Sequence, residues 1–218
     1  MEEIIKDIRF RLRKAMNGIV SDSMRKKGVE YKLILGVSIP EIKLIASAYK
    51  PDAELAKWLW EQDVREHKIL ATMLYPIDTF TEEEAEKWVG EIRYQEIVEQ
   101  FCHNLAQHLP FAVSLAERWI CDERDNVKVA GFLLYARLYS KGKQTPSLEK
   151  LFSEAKTVFN QGISRPQRAA LLALKRYGRL GTAQAASVLD YVKEYKDSDS
   201  PEKQEFYNDL KFEFEYYE

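Results

Sequence analysis

Apolar residues recur at helical spacing through residues 54–75, ELAKWLWEQDVREHKILATMLY. Leu55, Trp58 and Leu59 form one short stripe, and Ile69, Leu70 and Met73 form a second. The pattern predicts two amphipathic helices, ELAKWLWEQ and VREHKILATMLY, joined by a very tight turn. A related hairpin follows Pro110 as SLAERWICDERDNVKVAGFLLYARLY. Both have a Leu-Ala start, a tryptophan in the first helix, a basic residue opening the second and a Leu-Tyr end. One such hairpin cannot bury its own apolar faces, but stacked copies can. Repetition therefore predicts an all-α superhelix of antiparallel helix pairs, a HEAT-like α-solenoid. A curved stack offers a long concave surface, which suits a large ligand.

Helical period runs through nearly every other long segment. A helix is expected over 2–16, then a short helix and a loop in SDSMRKKGVEYKLILGVSIP. Pro40 suits the first turn of the next helix, where its missing N–H costs nothing. Thr81 followed by Glu84 is a capping-box pattern that starts a helix running to about Glu91. Helices are expected over Tyr94–Leu109, 111–121, Asn126–Ser140 and Ser147–Asn160, with KGKQTPS as a loop. Ser164-Arg-Pro and Ser200-Pro carry the same start signal, so helices are expected over 165–178 and 201–214. A helix over 182–195 and the turn DSDSP separate those two. No linker is evident, so residues 1–218 read as one domain.

The chain has 218 residues and is 45% hydrophobic, enough for one sizeable core or one solenoid. No apolar run reaches the roughly 18 residues that span a bilayer, and no secretory segment opens the chain. A cytoplasmic monomer with no membrane contact is expected. Cys102 and Cys121 fall inside helical patterns, which predicts buried free thiols. The tryptophans Trp58, Trp60, Trp88 and Trp119 sit at core positions. The aromatic tail FYNDLKFEFEYYE, with Phe206, Phe212, Phe214, Tyr216 and Tyr217, is expected to dock as a capping helix.

The net charge of −2 conceals a pattern. Residues 126–181 carry +9, residues 79–125 carry −7 and residues 182–218 carry −6. A basic block on a solenoid is the footprint of a polyanion site, or else a solvated face balanced by its acidic neighbours. Arg65 and Lys68 lie near the start of one second helix, Lys128 near another, and Arg165 and Arg168 open a third. Charges placed there beside free helix N–H groups would suit phosphate.

Other chemistry finds little footing. His67, His103 and His108 show no metal spacing, and no HExxH, paired CxxC, P-loop, GxGxxG or GxSxG occurs. No metal and no cofactor are expected. Gln95 and Glu99, four apart on the Tyr94–Leu109 helix, could project together into a groove, or form an ordinary solvated pair.

The segments GVSIPEIKLIASAY, ELAKWLWEQDVREHKILATMLY, EIVEQFCHNLAQHLP and RWI…VKVAGFLLYARL resemble the HEAT-repeat DNA alkylation repair family, the AlkD-like alkylpurine DNA glycosylases. The resemblance covers about residues 30–180 and looks closest to a compact branch. It implies a basic concave face that holds duplex DNA and a carboxylate that stabilises positive charge developing on the sugar. Cationic purines alkylated at N3 or N7 would then leave by hydrolysis of the N-glycosyl bond. The family's catalytic aspartate position falls at Glu99, and the tryptophan four residues before it falls at Gln95. A second cleft tryptophan falls near Leu172, and the basic residue that grips DNA falls near Lys128. The chain thus keeps a carboxylate, one methylene longer, and departs from both aromatic walls. A register one turn different would bring Glu96 and Tyr94 to these roles. The alternative is a catalytically degenerate scaffold of the same fold that binds nucleic acid or a protein partner.

Overall fold

The computed structural model describes residues 1–142, 145–162 and 164–216. The loop expected at KGKQTPS includes Lys143 and Gln144, and the tail includes Tyr217; these three lie outside the described residues. No strand forms among the described residues. The one strand-like feature is a parallel bridge between Leu33 and Val64. By packing, the chain divides into two compact units: Met1–Glu86 with Arg93–Leu109, and Lys87–Ile92 with Pro110–Glu218.

The first unit holds α1 (Glu2–Lys14), α2 (Gly18–Lys26), α3 (Ile39–Ala46), α4 (Ala53–Glu61), α5 (Arg65–Leu74), the first half of α6 (Glu82–Glu91), and α7 (Gln95–Asn104). Side-chain caps start several of them: Asn17, Ser38 and Asp52 each accept a backbone N–H from the first turn. Thr81 and Glu84 form the reciprocal box that starts α6, with Thr81 N–H donating to Glu84 at 3.0 Å and Glu84 N–H to Thr81 at 3.2 Å. The hairpin α4–α5 packs its apolar stripes together, and α5 also meets α3 and α7. Leu55, Leu59, Ile69, Leu70 and Phe101 are fully buried in this core.

The helix expected over Tyr94–Leu109 is shorter. α7 ends at Asn104, Leu105 turns out of helical geometry (φ −125°, ψ −66°), and a single 3₁₀ turn covers Ala106–His108. Leu105, Ala106 and Leu109 are still buried, so the apolar stripe outlasts the helix. Trp60 is buried, whereas Trp58 is only half-buried, with the Arg9 guanidinium 5.2 Å from its ring.

Beside Trp58, on α5, lies His67, buried and with no hydrogen-bond partner for Nδ1. Burial lowers its pKa to about 4, and the charge of Arg9 adds to that. In the unfolded chain the imidazole titrates near 6.5. Between these values the unfolded chain holds a proton that the folded chain does not, so acid favours unfolding. Full stability is expected above about pH 6.5, with a loss of roughly 3 kcal/mol as the pH falls through 4. Urea unfolding of His67→Phe should lack this component. Parallel pH profiles for variant and wild type would assign the acid sensitivity elsewhere.

The second unit holds the end of α6, then α8 (Ala112–Trp119), α9 (Asp125–Lys141), α10 (Leu148–Asn160), α11 (Arg165–Gly178), α12 (Thr182–Tyr191) and α13 (Pro201–Glu215). α9 is its central helix. It packs on α8 and α11 and buries side chains almost all round, among them Phe132, Leu134, Tyr135 and Tyr139. Ser147, Ser164 and Ser200 cap α10, α11 and α13. The tail docks by one face: Phe214 lies against Gly178, and Phe206 stacks 4.5 Å from Phe159. Phe212 and Tyr216 stay exposed. Of the two free thiols, Cys102 is buried, but Cys121 is exposed because it falls just beyond the end of α8.

Candidate nucleic-acid interface

In the first unit the start of α5 is a buried ionic centre. Arg65 is 2% exposed. It donates to Glu96 of α7 through Nε (2.7 Å) and Nη2 (2.5 Å), and through Nη1 to Glu66 (2.9 Å) and the Val37 carbonyl (2.9 Å). Burial works against the cation, but the hydrogen bond with Glu96 and the charge of Glu66 hold its pKa above the usual value. Glu66, fully buried, also accepts the backbone N–H groups of Leu35, Gly36 and Val37 at 3.1, 3.0 and 3.3 Å. One carboxylate thus fixes the extended segment before α3. Arg65 was expected to face a polyanion; its guanidinium is instead spent on tying α5, α7 and this segment together.

α7 carries the remaining candidates. Glu99 is half-buried and accepts a hydrogen bond from Gln95 Nε2 at 2.9 Å. An amide therefore stands over the carboxylate where the resemblance implies an aromatic wall. Glu96 is engaged by Arg65 and is not a comparable free carboxylate. Tyr94 precedes the helix; its hydroxyl accepts the Glu30 N–H at 2.7 Å and its ring sits 4.9 Å from Tyr31. The Arg93 guanidinium lies over both rings, at 5.4 and 5.7 Å, and pairs with Asp63. Lys68 is half-buried with Nζ 4.6 Å from the Trp60 ring centroid.

In the second unit five cations of the +9 block are held in ion pairs. Lys128 meets Glu154 at 3.3 Å, Lys150 meets Glu117 at 3.0 Å, and Lys156 meets Glu194 at 2.9 Å. Lys175 meets Asp209 at 2.8 Å, and Arg179 meets Glu213. Most of these acids belong to the flanking acidic segments. Arg165 and Arg168 differ, because both are exposed and neither forms an ion pair among the described residues. Asn126, at the start of α9, orients Arg165 by accepting from Nη1 at 2.8 Å, while its amide donates to the Ile92 carbonyl at 2.7 Å. The α11 backbone offers a phosphate less than expected. Ser164 and Gln167 close a full capping box, Pro166 has no N–H, and the Arg168 N–H bonds the Ser164 carbonyl. Leu172 is exposed on α11.

Sequence reasoning did not single out Glu66, Asn126 or Arg93. An acid at the second position of a helix is ordinarily a solvated, dipole-stabilised residue, so Glu66 gave no periodic signal. Among the described residues no cluster of His, Cys, Asp or Glu is placed to hold a metal ion, and no helix is long and apolar enough to cross a membrane.

These helix pairs define an all-α protein of the HEAT-like repeat class. A solved structure described as "A new family of proteins related to the HEAT-like repeat DNA glycosylases with affinity for branched DNA structures" matches with a TM-score of 0.78. It is 14% identical and the match covers 95% of this chain and 94% of that one, a likeness of fold. No curated protein matches. The family model described as "DNA alkylation repair enzyme" matches residues 8–204, and the chain belongs to that family.

Proposed function

We propose that the protein binds DNA through backbone charge and shape, with the start of α11 as a principal contact. The observation that carries this is the exposed pair Arg165 and Arg168, which form no ion pair among the described residues while five other cations of the block are held by acids. The two lie three residues apart and so share a helix face. Asn126 holds one of them in place before any ligand arrives, which lowers the entropy lost on binding. Lys128 would add its charge only by leaving Glu154. In the first unit Lys68, Gln95 and Tyr94 are the candidate contacts, and Arg65 anchors the first turn of α7 through Glu96. The family relationship supports DNA as the ligand, and the fold relative's affinity for branched DNA makes DNA structure a sensible variable to test.

Binding measured by fluorescence anisotropy across a salt series tests this. Arg165→Glu/Arg168→Glu should weaken binding at least tenfold and flatten the plot of log affinity against log salt by about 1.8, the share of two phosphate contacts on duplex DNA. Unchanged affinity and slope would remove α11 from the interface. Wild-type protein that binds no DNA at about 100 mM salt would favour the protein-interaction reading.

Excision of alkylated purines is the second reading, and Glu99 favours it. Its carboxylate stands part-exposed on α7, at the position the family resemblance gives to the catalytic acid. A carboxylate there would stabilise an oxocarbenium-like sugar. Release of methylated purines from alkylated duplex DNA should then occur with wild type and vanish in Glu99→Gln. No release by wild type would end this reading and leave the binding one standing.

A further inference from the structure

The cations of α1 stand in contrast to the paired block of the second unit. Ile5, Ile8 and Leu12 bury one face of the helix. Lys6, Arg9, Arg13 and Lys14 are exposed, and none of the four forms an ion pair among the described residues. Arg11 does pair, with Asp7 at 2.9 Å. In their midst Phe10 is 65% exposed, and Leu44 of α3 is 66% exposed. Phe10 and Leu44 line one groove of about 600 Å³ between α1 and α3, with Arg11 and Lys14 at its side. Lys6, Arg13 and Lys14 lie four before, three after and four after Phe10, so they flank it on the same helical face.

Single exposed apolar residues are ordinary on a protein surface. An aromatic ring flanked along its helix by cations without ion pairs, with a second apolar side chain lining the same groove, has a more particular chemistry. Bases stack on an aromatic face, and phosphates follow the cations. Duplex DNA keeps its bases stacked on one another and has little to offer the Phe10 ring. An unpaired strand has a free base face at every nucleotide.

The two acids of the groove are compatible with this. Asp7 accepts from Arg11 Nε and from the Tyr49 hydroxyl at 2.7 Å, so its charge is already answered. Glu41 sits in the first turn of α3, where the helix dipole favours an anion. It would repel a phosphate on the α3 side, which puts the backbone of a bound strand along α1.

We propose that the α1–α3 groove binds an unpaired DNA strand, with a base on the Phe10 ring and phosphates along Lys6, Arg13 and Lys14. This rests on the reading that the protein binds DNA, and it adds a second contact surface with a different preference. The test compares a blunt duplex with the same duplex carrying a single-stranded flap, by fluorescence anisotropy. Wild type should bind the flapped DNA more tightly. Phe10→Ala should lose about tenfold on the flapped DNA, the scale of one lost base–aromatic stack, and keep its affinity for the blunt duplex. Arg13→Ala/Lys14→Ala should flatten the salt dependence on flapped DNA by about 1.4. Phe10 is exposed, so its variant should keep the wild-type helical circular dichroism. Equal losses on both DNAs, or no loss with Phe10→Ala, would overturn this inference and leave duplex binding intact. Wild type that binds neither DNA would overturn the DNA-binding reading and this inference with it.

Discussion

Glu66→Ala is expected to destabilise the protein by about 3–5 kcal/mol, the usual cost of removing one partner from a buried ion pair. The substitution does two kinds of damage. It leaves the Arg65 guanidinium buried with Glu96 as its remaining carboxylate, and Glu96 is itself part-exposed. It also strips the acceptor from three backbone N–H groups, those of Leu35, Gly36 and Val37. Buried donors without acceptors are costly in their own right. The segment has no ladder of its own to fall back on, because its strand-like pairing is the one bridge at Leu33. Gly36 deepens the dependence: its φ is +70°, and an added Cβ would overlap the Asn17 carbonyl oxygen and lie 2.8 Å from Ser21 N. Urea denaturation should show a lower midpoint with an unchanged slope. A loss below about 1 kcal/mol would mean that water enters and replaces the carboxylate. Any surviving Glu66→Ala protein should also bind DNA less well if α7 is part of the interface, since Arg65 is what holds Glu96 and with it the first turn of α7.

This network also marks where the sequence stopped being legible. Helix starts were readable because their chemistry is local. Thr81 with Glu84, Pro40 in a first turn, Ser164 with Pro166 and Ser200 with Pro201 each announce a helix within four residues, and each helix starts there. The α4–α5 hairpin was readable because its stripe is periodic. Helix ends were less so. The stripe from Ile97 to Leu109 keeps apolar residues at nearly helical spacing even though Leu105 leaves the helix, because a 3₁₀ turn buries much the same positions.

Charge was the least legible layer. Counting along the chain finds a +9 block but cannot find its partners, which lie 26 to 39 residues away in sequence: Glu154 for Lys128, Glu117 for Lys150, Asp209 for Lys175, and Asn126 for Arg165. Pairing balances five of that block's cations with acids. The same counting passed over α1, whose cations are diluted by Glu2, Glu3 and Asp7 in sequence but stand exposed in the fold. A local count of charge therefore ranks surfaces poorly unless partners from other helices are known. The candidate carboxylate fared differently: Glu99 and Gln95 were placed together by i, i+4 spacing, and their side chains meet at 2.9 Å.

Gly131→Ala is expected to destabilise the protein by about 3 kcal/mol, at the upper end of ordinary overpacking. The sign is the informative part. Gly131 lies inside α9, and alanine in place of glycine normally favours a helix by about 1 kcal/mol. Here an added Cβ would overlap the backbone N of Ile120 and lie 2.7 Å from the carbonyl carbon of Trp119. Backbone cannot rotate aside as a side chain can, so α8 and α9 must separate. Trp119, Ile120 and Phe132 are all buried at that junction, and a shift would open voids around them. Gly18→Ala provides the control: it lies in α2, nothing stands within 4 Å of its added Cβ, and it should be neutral or slightly stabilising. The displacement would also carry function. Asn126 in the first turn of α9 orients Arg165, so a separated α9 should blur the proposed α11 contact and weaken DNA binding even in protein that remains folded. Thermal unfolding of the two glycine variants side by side gives the decisive comparison. A stabilised Gly131→Ala would show that the α8–α9 contact yields at little cost and that glycine at this position is not a packing requirement.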